Sequence, residues 1–325
     1  MVTSMLVLVV LHVLYCFLVA HERNDSNPHQ LYWVPNNAGL FSHFLQLKIM
    51  NKQSVELNRQ LVIIPTLSAH YGNTSIDMCS IFELPATVSC AARSEGMKCV
   101  TDYKIIQELQ NMQEVCYKGS ITLGGKGQGR EYVLEAVDFP IRLQFTPEYK
   151  LIASKFQSAL TALAGLRYNP SLMTVVHWRR GDQLNSRCKN KIDTSVNCCN
   201  ASALIQAVKK NSNHTVVYVA TNEPQDSAEM KVLRAQPGWY TFSDVVQGSS
   251  DPSLKDLDSL HILVAEAVLM LRADRFLAWG LSEINDVVEY ERKRMGLSYC
   301  AAELSEHSSK LNSHTLETWC TKQAL

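Results

Sequence analysis

Four side chains that bind or move charge fall within six positions: His177, Arg179, Arg180 and Asp182, in the run Thr174-Val-Val-His-Trp-Arg-Arg-Gly-Asp-Gln-Leu184. Two adjacent guanidiniums are costly to gather unless an anion uses them, and arginine grips phosphate oxygens in bidentate fashion. The chemistry this points to is recognition of a phosphorylated ligand, with Asp182 holding an arginine in place. The competing reading is a salt-bridge cluster at a strand end, and these residues alone favour neither. Arg180-Gly181-Asp182 also spells an integrin-type tripeptide. Three residues recur by chance, and here they sit beside a strand end.

The elements that position this group follow from its flanks. Thr174, Val175 and Val176 are β-branched, so the run opens as a buried strand. Side chains alternate along a strand, which puts His177 and Arg179 on one face and Trp178 and Arg180 on the other. Gly181 marks the turn. Open α/β sheets bind ligands at the carboxyl ends of their strands, and this layout suits such a site.

The rest of the second half alternates strand and helix. Ala201–Lys209 reads as a helix, Thr215–Ala220 as a strand, Ala228–Leu233 as the start of a helix and Trp239–Phe242 as a short strand. Ser253–Leu271 reads as one long buried helix, with Glu266 inside its apolar core. A buried carboxylate needs a partner or a ligand, unless it faces a wet edge. Arg275–Trp279 is the last expected strand. Ser282 then suits the N-cap of a helix over Glu283–Arg294, whose first N–H groups form a ready anion site.

The first half begins with an expected strand at Leu31–Val34, a Gly39-containing turn, a helix from about Leu40 and a second strand at Arg59–Pro65. That is the start of a βαβ unit. Residues 68–126 are less regular and carry Cys79, Cys90, Cys99 and Cys116 without a C-x-x-C pair, which favours disulfides over zinc. Gly124–Gly129 lacks the Lys-Ser/Thr ending and the helix of a phosphate loop. A junction near Phe139–Pro147 divides the chain into expected domains over 31–146 and 147–299, with a tail over 300–325. A helix over Glu148–Leu166 leads into the central strand.

The 325 residues carry no net charge and are 46% hydrophobic, so a generally basic nucleic-acid surface is not indicated and any anion site is local. Met5–Val19 is an apolar run that fits a signal peptide over residues 1–20, with an uncleaved anchor as the alternative and the one route to a membrane. Sequons at Asn24, Asn73, Asn200 and Asn213 and the ten cysteines point to the secretory route, with an endoplasmic reticulum or Golgi lumen as the expected compartment. Cys188 with Cys198 or Cys199, and Cys300 with Cys320, bracket loops that a bridge could close.

On these pieces and their order the chain resembles the GDP-fucose-dependent O-fucosyltransferases. The pieces are His177-Trp-Arg-Arg-Gly-Asp182 after a strand, Gly39-Leu-Phe-Ser-His-Phe44 near the start, Phe145-Thr-Pro147, Val217–Glu223 and Arg272-Ala-Asp-Arg-Phe276 ahead of Gly280-Leu-Ser282. The resemblance implies an α/β chain of the GT-B type, with two Rossmann-like domains facing a central cleft. It implies inverting transfer of fucose from GDP-fucose to a protein or glycan hydroxyl, with no metal and no further cofactor. A folded disulfide-rich domain is one expected acceptor.

Arg179 then matches the arginine on the diphosphate, with His177 and Arg180 along the same groove and Asp182 orienting the arginine or contacting the nucleotide. Ser282 and Glu283 open the phosphate-binding helix, Glu266 falls near the guanine, and Ser42 or His43 faces the acceptor, His43 as a base. The resemblance also carries departures. Glu283 sits where a hydroxyl residue is usual, and Ser42 and His43 replace the usual Asn or Glu. These support an alternative, an inactive relative that binds a glycan or a protein. Asp256-Leu-Asp258 hints at a metal-dependent GT-A site, but it lies in a helical pattern rather than at a strand end.

Overall fold

The computed structural model describes residues 29–35, 38–68, 71, 74–91, 99, 101, 112, 114–118, 141–165, 173–180, 200–279, 282–304 and 316–320. The expected leader, the glycine-rich stretch at 124–129, Asp182 and the cysteines at 188, 198 and 199 lie outside them.

The first half builds a four-stranded parallel sheet in the order β5-β2-β1-β6, from β1 (Gln30–Val34), β2 (Gln60–Ile63), β5 (Val88–Cys90) and β6 (Glu114–Lys118). Helix α1 (Leu40–Glu56) connects β1 to β2. A small antiparallel pair, β3 (Thr66–Ser68) and β4 (Thr74–Ile76), and the one-turn α2 (Met78–Ile81) follow. Disulfides Cys79–Cys90 and Cys99–Cys116 tie this region, as the cysteine spacing led one to expect.

The second half builds a six-stranded sheet in the order β12-β11-β10-β7-β8-β9. Its strands are β7 (Met173–Trp178), β8 (Val216–Thr221), β9 (Trp239–Tyr240), β10 (Arg275–Trp279), β11 (Tyr299–Leu304) and β12 (Leu316–Cys320). All pair in parallel except β12, which runs antiparallel to β11. The helices are α3 (Pro147–Leu163), α4 (Ala201–Asn211), α5 (Ala228–Arg234), α6 (Phe242–Gly248), α7 (Ser259–Arg272) and α8 (Glu283–Arg294). Gly238, with φ +77°, carries the chain from α5 into β9, and a Cβ there would lie 2.1 Å from the Thr215 carbonyl oxygen.

Helices cover both faces of this sheet. One face packs Val176, Trp178, Val217, Val219, Leu277 and Trp279 against α4 and α5. The other packs Val175, Tyr218, Phe276 and Ala278 against α3 and α7, in a core continuous with that of the first sheet. The continuity runs through α1 and α8, which touch across the two halves.

Two expectations need correction. The long helix does not run from Ser253. Asp258 caps its start at Ser259, accepting from the Leu260 and His261 N–H groups at 2.9 Å each, and a separate 3-10 turn spans Pro252–Leu254. Capping is thus the work of Asp258 in the Asp256-Leu-Asp258 triplet. The expected C-terminal tail instead supplies β11 and β12, with Cys300 disulfide-bonded and Cys320 opposite it in register.

Arg292 explains how α7 ends. It is fully buried, and its guanidinium donates to the carbonyls of Met270 (2.8 Å), Ala273 (2.8 Å), Asp274 (3.0 Å) and Ser298 (2.9 Å). Met270 and Ala273 carry C-terminal carbonyls that α7 leaves without partners, and Asp274 and Ser298 belong to the turns that follow α7 and precede β11. Burial pulls its pKa down to about 10. Removing the fork strands several buried carbonyls, so Arg292→Ala is expected to lose about 3–5 kcal/mol in urea denaturation. Arg292→Lys should recover less than half of that, because an ammonium cannot reach all four oxygens.

Candidate active site

The chain leaves β7 for β8 and β9 on one side, then returns to place β10 on the other. The order therefore reverses between β7 and β10, the point beyond whose strand ends open α/β sheets form their ligand crevice. His177 lies there, in register with Ala220 and Ala278. Its Nδ1 is 2.7 Å from the Asn285 Oδ1 on the first turn of α8. Arg179 follows the strand on the same face and is partly exposed.

Ser282 caps α8 in extended conformation with its backbone carbonyl bonded to the Asp286 N–H (3.2 Å), while its side chain makes no capping hydrogen bond. That leaves the hydroxyl uncommitted to its own helix. Glu283 and Asp286 stand in the first turn. They favour the helix dipole but work against a diphosphate.

The first half contributes the amino end of α1. The Leu40 N–H donates to the Tyr71 hydroxyl oxygen at 3.0 Å. Burial raises the Tyr71 pKa, the Leu40 bond and the Arg179 charge oppose the rise, and the Glu283 charge adds to it. Tyr71 thus stands within electrostatic reach of both Arg179 and Glu283, and brings α1 of one half to the strand-end crevice of the other. No sequence signal marked Tyr71, which comes from an irregular stretch.

Several sequence candidates take other roles. Arg180 lies on the opposite face, over the Trp178 ring at 5.5 Å, with Glu223 at 2.9 Å and Glu229 at 3.6 Å. Its guanidinium is committed to two carboxylates, so the expectation of an anion ligand is corrected for Arg180. Its main-chain N–H donates to Asn222 Oδ1 at 3.0 Å, which fixes the backbone just after Arg179. His43 is fully buried within α1 and cannot meet an acceptor hydroxyl as placed, which corrects its assignment as a base. Ser42, partly exposed, is the alternative on that turn.

Glu266 is buried, with Oε1 accepting from the Tyr218 hydroxyl at 2.7 Å. Tyr218 is level with Val175, two residues deeper in the sheet than His177. Glu266 therefore has a protein partner beneath the site, and the wet-edge alternative falls. Among the described residues, the one group of potential metal ligands is Asp77, Cys79 and Cys90, whose thiols are joined in a disulfide.

No family model and no curated protein matches the sequence. Solved structures do match. POFUT1 in complex with GDP-fucose has a TM-score of 0.55 at 13% identity, over 82% of this chain and 95% of that one. The fold is GT-B, the fold of POFUT1. POFUT1 in complex with GDP aligns with a TM-score of 0.50 at 12% identity, again over 82% and 95% of the two chains. The fucosyltransferase NodZ from Bradyrhizobium has a TM-score of 0.47 at 12% identity, over 90% and 99%.

Burial pushes the Glu266 carboxyl up to about 7 from the ordinary 4.5, with the Tyr218 bond opposing the rise. The folded protein therefore keeps a proton that the unfolded chain has released between these two values, and stability falls as pH rises across that window. Glu266→Gln should flatten this slope and be more stable than the parent at pH 8, by about 3 kcal/mol at most. Urea midpoints across the pH range check it.

Proposed function

We propose that the protein is a metal-independent glycosyltransferase that moves fucose from GDP-fucose to a protein or glycan hydroxyl with inversion. The observation that carries this reading is the His177–Asn285 contact, which joins the end of β7 to the first turn of α8 at the switch point of a GT-B fold, and Arg179 lies two residues beyond His177. The acceptor oxygen attacks the anomeric carbon, the bond from that carbon to the phosphate oxygen breaks, and its electron pair leaves on GDP. Negative charge grows on the diphosphate, where a fixed guanidinium and helix N–H groups stabilise it. The acceptor hydroxyl gives its proton to solvent water as the new bond forms. The two disulfides support a place in the secretory lumen.

A second reading, an inactive relative that binds a glycan or a protein, is favoured by Glu283 beside the phosphate turn and by the burial of His43. GDP isotherms with and without Mn²⁺ separate the two. Binding without metal supports the transferase, and no binding supports the inactive relative.

Turnover of GDP-fucose by the protein made in a secretory host, offered folded disulfide-rich domains without metal, should be lost by about 10²–10³ in kcat in Arg179→Ala. Equal rates in a well-folded Arg179→Ala would remove Arg179 from the mechanism. Glu283→Ser removes a like charge from the turn and should tighten GDP binding by about fivefold, the scale of ~1 kcal/mol, as read by calorimetry.

A further inference from the structure

His177 and Asn285 come from elements 108 residues apart in sequence, and both are almost wholly enclosed. Neutral imidazole carries one proton, and the bond made by one ring nitrogen decides what the other can do. A carboxamide oxygen accepts only, so an Oδ1 at 2.7 Å from Nδ1 holds the ring proton on Nδ1. The lone pair of the neutral ring then sits on Nε2. The ring plane is fixed at the same time, because Asn285 is itself held in the first turn of α8, which packs on α1 and β10.

We propose that Asn285 is the positioning residue for His177: its side-chain oxygen sets the Nδ1–H tautomer and the ring plane, so that the imidazole meets the nucleotide sugar through Nε2. The inference rests on the proposed transferase reading for its catalytic consequence, and on this geometry alone for the tautomer. It also couples the two halves of the crevice. The end of β7 and the start of α8 approach the same ligand, and this bond makes their spacing a single fixed quantity.

Ring-nitrogen NMR of the full chain with isotope-labelled histidine tests it, with His177→Phe identifying the His177 signals. The parent should show the Nδ1–H tautomer at His177. Asn285→Ala, checked for retained fold by circular dichroism, should shift it toward Nε2–H and lower kcat/KM for GDP-fucose by about ten- to hundredfold, the usual cost of removing a residue that orients a ligating group. Asn285→Asp keeps an acceptor in place and should retain Nδ1–H. An unchanged tautomer in Asn285→Ala overturns the proposal, whether or not activity falls, since a loss without a tautomer change is structural. If the tautomer shifts while the parent neither binds GDP nor turns over GDP-fucose, the positioning role stands and the transferase reading fails.

Discussion

Strand β7 is buried along its whole length, with β8 and β10 hydrogen-bonded on its two edges and helices on both faces. Every side chain it carries is therefore committed to one face or the other, and the alternation continues beyond its end. Trp178 packs in the α4–α5 core, so Arg180 follows it to that side and is taken by Glu223 and Glu229. Val175 packs in the α3–α7 core, so His177 and Arg179 emerge on the side where α8 begins. A one-residue slip of the strand would exchange the two arginines and set Arg179 against the carboxylates. The pleat thus separates the adjacent arginines, committing Arg180 to carboxylates and turning Arg179 to the side where α8 begins.

The second constraint joins the two halves. Lys48 of α1 is 2% exposed, lies 3.7 Å from Glu291 of α8 and sits over the rings of Phe44 and Tyr290. Burial pulls its pKa down and Glu291 opposes the shift. Glu291 also pairs with Arg294 at 3.2 Å and accepts from the Leu143 N–H at 3.4 Å. Buried pairs of this kind add little net stability against an apolar alternative, but they penalise any other alignment of the surfaces that carry them. Here the alignment matters, because the amino end of α1, with its Tyr71 bond, is thereby held toward the amino end of α8.

The residues beneath the site serve rigidity. Tyr218 joins Glu266 and packs edge-on against Phe156, which in turn stacks on Phe242. Arg292 closes the end of α7 and binds the turn before β11. These polar groups sit inside a helix-covered sheet, and their bonds fix where β7, β10 and α8 end relative to one another.

The sequence by itself determined the elements that carry strong local signals. β-Branched runs marked β7 and β8, Arg275–Trp279 and Glu283–Arg294 were legible to the residue, and Ser282 was legible as a cap. The alternation of His177 and Arg179 against Trp178 and Arg180 was equally legible, because a period of two is a property of the backbone. It could not reveal Glu223 and Glu229 as partners of Arg180, Tyr218 as the partner of Glu266, or the burial of His43 inside α1. Each depends on which helix covers which face. Tyr71 and Asn285 carried no local signal at all, since a tyrosine in an irregular stretch and an asparagine in a helical turn are ordinary. Only the reversal of strand order between β7 and β10, and the packing of α1 on α8, bring them to the crevice, because those long-range contacts are set by burial of whole faces and not by neighbours in the chain.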